Sequence, residues 1–131
     1  VYFYLITFMI ELYKRLIKYH NKDDIIKNML YMSEYNKKNC FLLKLIFGKN
    51  INLYNGDTLK LNIKEYWGIN KFDIILGNPP YNSGGIKSCT GKKLSKTEKN
   101  KTIWPEFINY SIDNLKIAME KIEKFVKRLQ G

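Results

Sequence analysis

Apolar side chains run almost unbroken over residues 1–10, then give way to Glu11, Lys14, Arg15 and Lys18. This pattern predicts a core helix over residues 1–19, with its cations in the last turns, where the helix dipole favours them. Residues 25–33 hold a short apolar run, Met29-Leu30-Tyr31-Met32, that predicts a strand. Residues 37–47 read as a helix, because Cys40, Leu43 and Phe47 fall on one stripe and Gly48 stops it. Residues 51–54 predict the next strand, and Asn55-Gly56 turns the chain. Residues 58–67 form a short helix or loop on this reading. Residues 72–76, Phe-Asp-Ile-Ile-Leu, predict a third strand, buried and ending at Gly77. Strands separated by helical stretches imply parallel pairing through crossovers. Residues 82–101 are a polar loop. Over residues 102–130 the spacing is helical again. Ile112, Leu115, Met119, Ile122, Val126 and Leu129 recur at three and four, the pattern of a helix face packed on a sheet rather than a coiled-coil seam.

Composition narrows the classes. The chain has 131 residues, enough for one domain with one core. A 45% hydrophobic share excludes disorder by composition. The formal charge of +11 suits a nucleic-acid partner, although a bias towards Lys and Asn codons gives the same excess. Cys40 and Cys89 stand far apart without metal-ligand spacing, so both read as reduced thiols of a cytoplasmic protein. His20 is the single histidine, which argues against histidine triads and histidine-rich metal sites; no metal is expected. The apolar start is too short to span a bilayer and has no cleavage site after it, so neither a membrane anchor nor a signal peptide is expected. Five residues separate Gly85 and Gly91 where a phosphate loop needs four, and Lys93 stands where Ser or Thr should be, so a nucleotide triphosphatase is rejected.

The sharpest chemical signal is Asn78-Pro79-Pro80-Tyr81, placed directly after the third predicted strand and Gly77. An amide, two prolines and a ring are poor packing material. They suit a site that grips a flat polar ring. Asn78 presents a carbonyl acceptor. The prolines fix the backbone so that the Pro79 carbonyl can point the same way. Tyr81 can lie flat on a base. Two acceptors and a stacking face are what an exocyclic amine needs to be held and polarised, and ligands of open α/β sheets bind at the carboxyl ends of strands.

This segment resembles motif IV of the amino-group methyltransferases that use S-adenosylmethionine, above all the N6-adenine DNA methyltransferases of the TaqI-like type. The resemblance implies that Asn78 and the Pro79 carbonyl accept hydrogen bonds from the target N6 amine, and that Tyr81 stacks on the flipped adenine. Much of the catalysis would then be positioning and preorganised electrostatics. It also implies an adenosine site. A donor of this kind needs acceptors for its ribose hydroxyls and its adenine amine. Glu34 follows the first predicted strand, Asp57 the second and Asn78 the third, about one strand-helix unit apart each time. Met29 to Glu34, followed by Asn36-Lys37-Lys38-Asn39, looks like motif II, with Glu34 on the ribose. Asn55-Gly56-Asp57 looks like motif III, with Asp57 on the adenine amine.

The fold implied is a partial Rossmann-like methyltransferase domain over residues 1–131, three-layered around an incomplete parallel sheet. The likeness runs from about Ile25 to Leu115, and the first helix would be the one after motif I. No Gly-x-Gly loop of the motif I kind occurs in the chain. After Leu115 the family turns into another strand, whereas Lys116-Ile117-Ala118-Met119-Glu120 reads as continuing helix. The expectation is therefore the middle of a longer or split methyltransferase. Its partner would be DNA, contacted through Lys87, Lys92, Lys93 and Lys96 of the loop. Two other readings stay open: a protein-glutamine or RNA amino methyltransferase, and a non-catalytic remnant that binds DNA or a partner.

Overall fold

The computed structural model describes residues 4–80 and 102–116. Helix α1 spans Tyr4–Leu16, with Lys14 and Arg15 in its last turn. Ile6 and Met9 are buried, and Leu12, Tyr13 and Leu16 pack beside them. Asn21 then caps α2 (Lys22–Asp24) by accepting the Asp24 N–H at 2.8 Å. α2 runs into a π-helical turn, Ile25–Met29, whose Ile25 and Ile26 are buried. The apolar run taken for a strand therefore starts inside this turn, and strand β1 is Tyr31–Glu34, two residues later than expected. The reason lies across the sheet. The Asn52 amide donates to the carbonyls of Ile26, Lys27 and Leu30 at 3.0–3.1 Å, which satisfies the end of the turn.

Helix α3 (Lys37–Phe47) has the predicted bounds. Asn36 caps its start by accepting the Lys38 N–H at 2.9 Å, and its end meets Gly48 at φ 102°, a conformation that favours glycine. Strand β2 (Asn52–Asn55) returns parallel to β1, pairing Tyr31 with Asn52 through to Glu34 with Asn55. A 3-10 turn at Thr58–Lys60 is capped by Asp57. Helix α4 (Ile63–Trp67) is capped by Asn62 and closed by Gly68 at φ 72°. Helix α5 is Trp104–Asn114.

Alternation along β1 sorts the layers. Met32 faces a core of Ile6, Met9, Ile25, Leu43 and Phe47, so α1 and α3 cover one side of the sheet. Tyr31 faces the other side, where its ring meets Trp67 at 5.3 Å and Phe72 at 5.6 Å. Tyr54 and Tyr66 extend that ring cluster at 5.1 Å. The Tyr110 hydroxyl of α5 donates to the Leu61 carbonyl at 2.8 Å, which ties α5 to the segment between the 3-10 turn and α4.

Two expectations are corrected. Residues 72–76 do not form a strand. Only Phe72 pairs, in a parallel bridge with Leu115: its N–H donates to the Asn114 carbonyl and its carbonyl accepts the Lys116 N–H, each at 2.7 Å. Ile74 and Leu76, expected to be buried, are 66% and 53% exposed. Apolar sequence alone does not make a strand, because each backbone group needs a neighbour, and among the described residues the neighbour ends at one bridge. The second correction concerns the last helix. It stops at Asn114, and Leu115 is extended at φ −87°, ψ 144°. Asn114 turns its amide back onto the Tyr110 carbonyl at 2.7 Å, while Phe72 takes the backbone groups of Asn114 and Lys116. The half-buried side of α5 carries Phe107, Tyr110, Ser111 and Asn114, and Ile112 is 62% exposed on the other. Residues 117–130 of the predicted helix, and the loop 82–101, lie outside the described residues.

Candidate functional site

The polar groups of the sheet gather at the carboxyl ends of β1 and β2. Glu34 is the last residue of β1 and is 8% exposed. Its Oε1 accepts the Asn36 N–H at 2.7 Å and its Oε2 accepts the Asn39 amide at 3.1 Å. The acid thus braces the chain as it enters α3. A carboxylate offers about four lone-pair sites, so each oxygen keeps one for a further donor. The Glu34 backbone carbonyl is equally engaged: it accepts Gly56 N–H at 3.1 Å, the Asn55 amide at 2.9 Å and the Cys40 thiol at 3.5 Å. Burial and the neighbouring Glu34 charge push the Cys40 thiol up from its ordinary value.

Asp57 stands two residues past β2. Its Oδ1 accepts the Leu59 N–H at 3.1 Å, which leaves Oδ2 without a hydrogen-bond partner among the described residues. Beside it, Ser33 Oγ and Thr58 Oγ1 share a hydrogen bond of 2.7 Å across the strand ends. Gly56 is glycine for want of space: a Cβ there would meet the Tyr54 ring at 2.7 Å. The fold therefore brings Glu34 and Asp57 to neighbouring strand ends and links them through Gly56.

Asn78 is exposed and Pro79 and Pro80 are half-buried, in chain without regular structure. No hydrogen bond among the described residues engages the Asn78 side chain or joins it to Glu34 or Asp57. Tyr81 and the loop lysines Lys87, Lys92, Lys93 and Lys96 lie outside the described residues. Sequence reasoning gave no bracing role to Asn36, Asn39, Asn55, Ser33 or Thr58. The signal available was a run of short amides and hydroxyls at strand and helix ends, where orphan backbone groups need partners.

The acceptor set fits an adenosine. Glu34 can accept two adjacent hydroxyls and Asp57 one amine, and neither acid is spent on a basic side chain among the described residues. Among those residues, no helix is long and apolar enough to cross a membrane.

Two parallel strands joined by a helical crossover, with acids at their carboxyl ends, define a chain of the α/β class, still incomplete as a sheet. The chain belongs to the Eco57I restriction-modification methylase family, whose model matches residues 3–123. It is thereby placed among methyltransferases. No curated protein and no solved structure matches it.

Proposed function

We propose that this chain carries the adenosine-binding and amine-binding parts of an S-adenosylmethionine-dependent N6-adenine DNA methyltransferase, on a Rossmann-like sheet. The observation that carries the reading is the pair of acids at adjacent parallel strand ends, Glu34 and Asp57, linked through the Glu34 carbonyl and followed by an Asn78 amide that no hydrogen bond among the described residues engages. Layering supports it. Helices α1 and α3 cover one face of the sheet, and the Tyr31, Trp67 and Phe72 rings cover the other. The parallel bridge of Phe72 with Leu115 across α5 repeats the crossover of β1, α3 and β2.

On this reading Glu34 holds the ribose hydroxyls with its remaining lone pairs, and Asp57 Oδ2 accepts the adenine amine. When bound, S-adenosylmethionine supplies a methyl group on a positively charged sulfur. Asn78 Oδ1 and the Pro79 carbonyl accept the two N6 hydrogens of the target base. That would shift the nitrogen towards tetrahedral geometry and free its lone pair for the methyl carbon, with the carbon–sulfur pair staying on sulfur and the surplus N6 proton passing to solvent. Pro79 and Pro80 hold this acceptor pair rigid, which lowers the reorganisation the step requires. Tyr81 stacks on the base once it leaves the duplex. Lys87, Lys92, Lys93 and Lys96 contact DNA phosphates beside it.

The test is methyl transfer to duplex DNA by the enzyme that contains this chain, with N6-methyladenine read by mass spectrometry. Asn78→Ala should lower the rate on the order of 100- to 1,000-fold and leave cofactor binding intact, because the amide meets the base and not the donor. An unchanged rate would overturn the role of Asn78. Methylation of RNA or of a protein glutamine in place of DNA would overturn the substrate.

A further inference from the structure

We propose that Asn55 is a positioning residue for the adenosine site: its amide sets the spacing between Glu34 and Asp57, and so sets how strongly the site prefers ribose over 2′-deoxyribose. The proposal rests on the reading of Glu34 as the ribose acceptor.

Glu34 ends β1 and Asp57 stands two residues past β2, and the register between the strands ends at Glu34 and Asn55. Past that pair the chains part. One turns through Asn36 into α3, the other through Asp57 into the 3-10 turn. At the parting point the ladder adds one bond, from Gly56 N–H to the Glu34 carbonyl, and the Asn55 side chain adds two more. Its Nδ2 donates to the Glu34 carbonyl at 2.9 Å and to the Tyr35 carbonyl at 3.1 Å, so one side chain of β2 grips two successive peptide groups of the β1 exit. The next residue, Gly56, gives its N–H to the same Glu34 carbonyl at 3.1 Å, and Asp57 follows directly. The grip thus runs from the backbone that carries Glu34 to the backbone that carries Asp57. The Ser33–Thr58 hydroxyl pair, at 2.7 Å, closes a second link between the residue before Glu34 and the residue after Asp57. A valine or threonine at position 55 would serve a strand end better by propensity. A side chain with two donors on one nitrogen serves the clamp.

A ribose offers two adjacent hydroxyls, and a carboxylate takes both only when it is held at one angle to the rest of the site. Loss of the clamp lets the β1 exit rotate against β2 while the core under it, Met32, Leu43 and Phe47, stays packed. The hydroxyl that no longer meets an aligned oxygen then gains nothing over water.

Adenosine and 2′-deoxyadenosine are titrated into the chain by NMR, and the ratio of their dissociation constants is the readout. The fraction of folded protein cancels in that ratio. Wild type should favour adenosine by about 10-fold or more, the equivalent of one charge-assisted hydrogen bond. Asn55→Ala should bring the ratio to within about two-fold of unity, since a misaligned hydrogen bond nets little over water. Asn55→Asp, isosteric and without the donor, should do the same and serves if the alanine variant does not fold. Leu43→Ala, a cavity in the core, should weaken both ligands equally and keep the ratio. If the Asn55 variants keep the ratio, with or without weaker binding, Asn55 is merely structural and the proposal falls while the Glu34 reading stands. If Leu43→Ala also collapses it, the ratio reports folding and the proposal falls. If wild type itself shows no preference, the Glu34 reading fails and takes this proposal with it.

Discussion

Glu34→Gln isolates what a charge does in a place where shape is kept. The side chain is 8% exposed and its two oxygens accept from two donors, Asn36 N–H and the Asn39 amide. Glutamine fills the same space with one acceptor and one donor, so either of those N–H groups would face another N–H. One charge-assisted bond is lost, worth about 1.5–3 kcal/mol. The negative charge near the start of α3 is lost as well, about 0.3–1 kcal/mol of dipole interaction. The expected cost is therefore about 2–4 kcal/mol by those two terms. With a urea dependence of about 2 kcal/mol per molar, the unfolding midpoint followed by circular dichroism should fall by roughly 1–2 M. Adenosine binding should fall too, even well below the midpoint, because the acceptor itself is gone. An unchanged midpoint would refute the bracing role. A lowered midpoint with adenosine affinity intact in the folded variant would refute the ribose role and leave Glu34 as a brace alone.

On the proposed reading the acids would meet only the adenosine half of the cofactor, and the sequence holds no Gly-x-Gly loop, so calorimetry should give S-adenosylmethionine a dissociation constant of roughly millimolar order; micromolar binding would mean that another segment holds the methionine half. Replacing Lys92, Lys93 and Lys96 by Ala should flatten the salt dependence of duplex DNA binding by up to about three contacts at about −0.9 each, read by fluorescence anisotropy, and an unchanged slope would make the loop a bystander. Burial, and Tyr54 beside it, push the Tyr110 phenol up from its ordinary value. The unfolded chain then loses that proton first, so stability falls as pH rises from the ordinary phenol range through the raised one. Tyr110→Phe should flatten that alkaline fall in denaturant titrations and cost about 1 kcal/mol at neutral pH through the lost bond to the Leu61 carbonyl. An alkaline limb unchanged in Tyr110→Phe would assign the loss elsewhere.

What was legible in the sequence was local. Helix α3 carries its own bounds in the stripe of Cys40, Leu43 and Phe47 and the stop at Gly48. Misplacement of β1 came from reading Met29 and Leu30 as strand, when Asn52, more than twenty residues on, completes a π turn there. The third strand and the long last helix failed for a common reason. Their fate was decided between them, by Phe72 meeting Leu115, and neither run of apolar residues carries a trace of the other. At the site, the positions of Glu34 and Asp57 were readable as acids that follow strands. Their hydrogen-bonding state was not, because Asn36, Asn39 and Asn55 become donors to β1 only once the chain has folded.

The ring cluster on the far face of the sheet gives the molecule a built-in optical gauge. Trp67 touches Tyr31 of β1, Tyr66 of its own helix and Phe72, at centroid distances of 5.3, 5.5 and 6.2 Å. The chain's other tryptophan, Trp104, is 43% exposed on α5. A soluble quencher reaches Trp104 more readily, so the residual emission under quenching belongs mainly to Trp67. Near-neighbour tyrosines feed it by energy transfer, and that feed depends steeply on separation. Excitation through tyrosine with emission at Trp67 therefore reads whether α4 is still seated against Tyr31 of β1. If that emission fades while the helical signal holds, the seat of α4 on β1 is the first part of the fold to open.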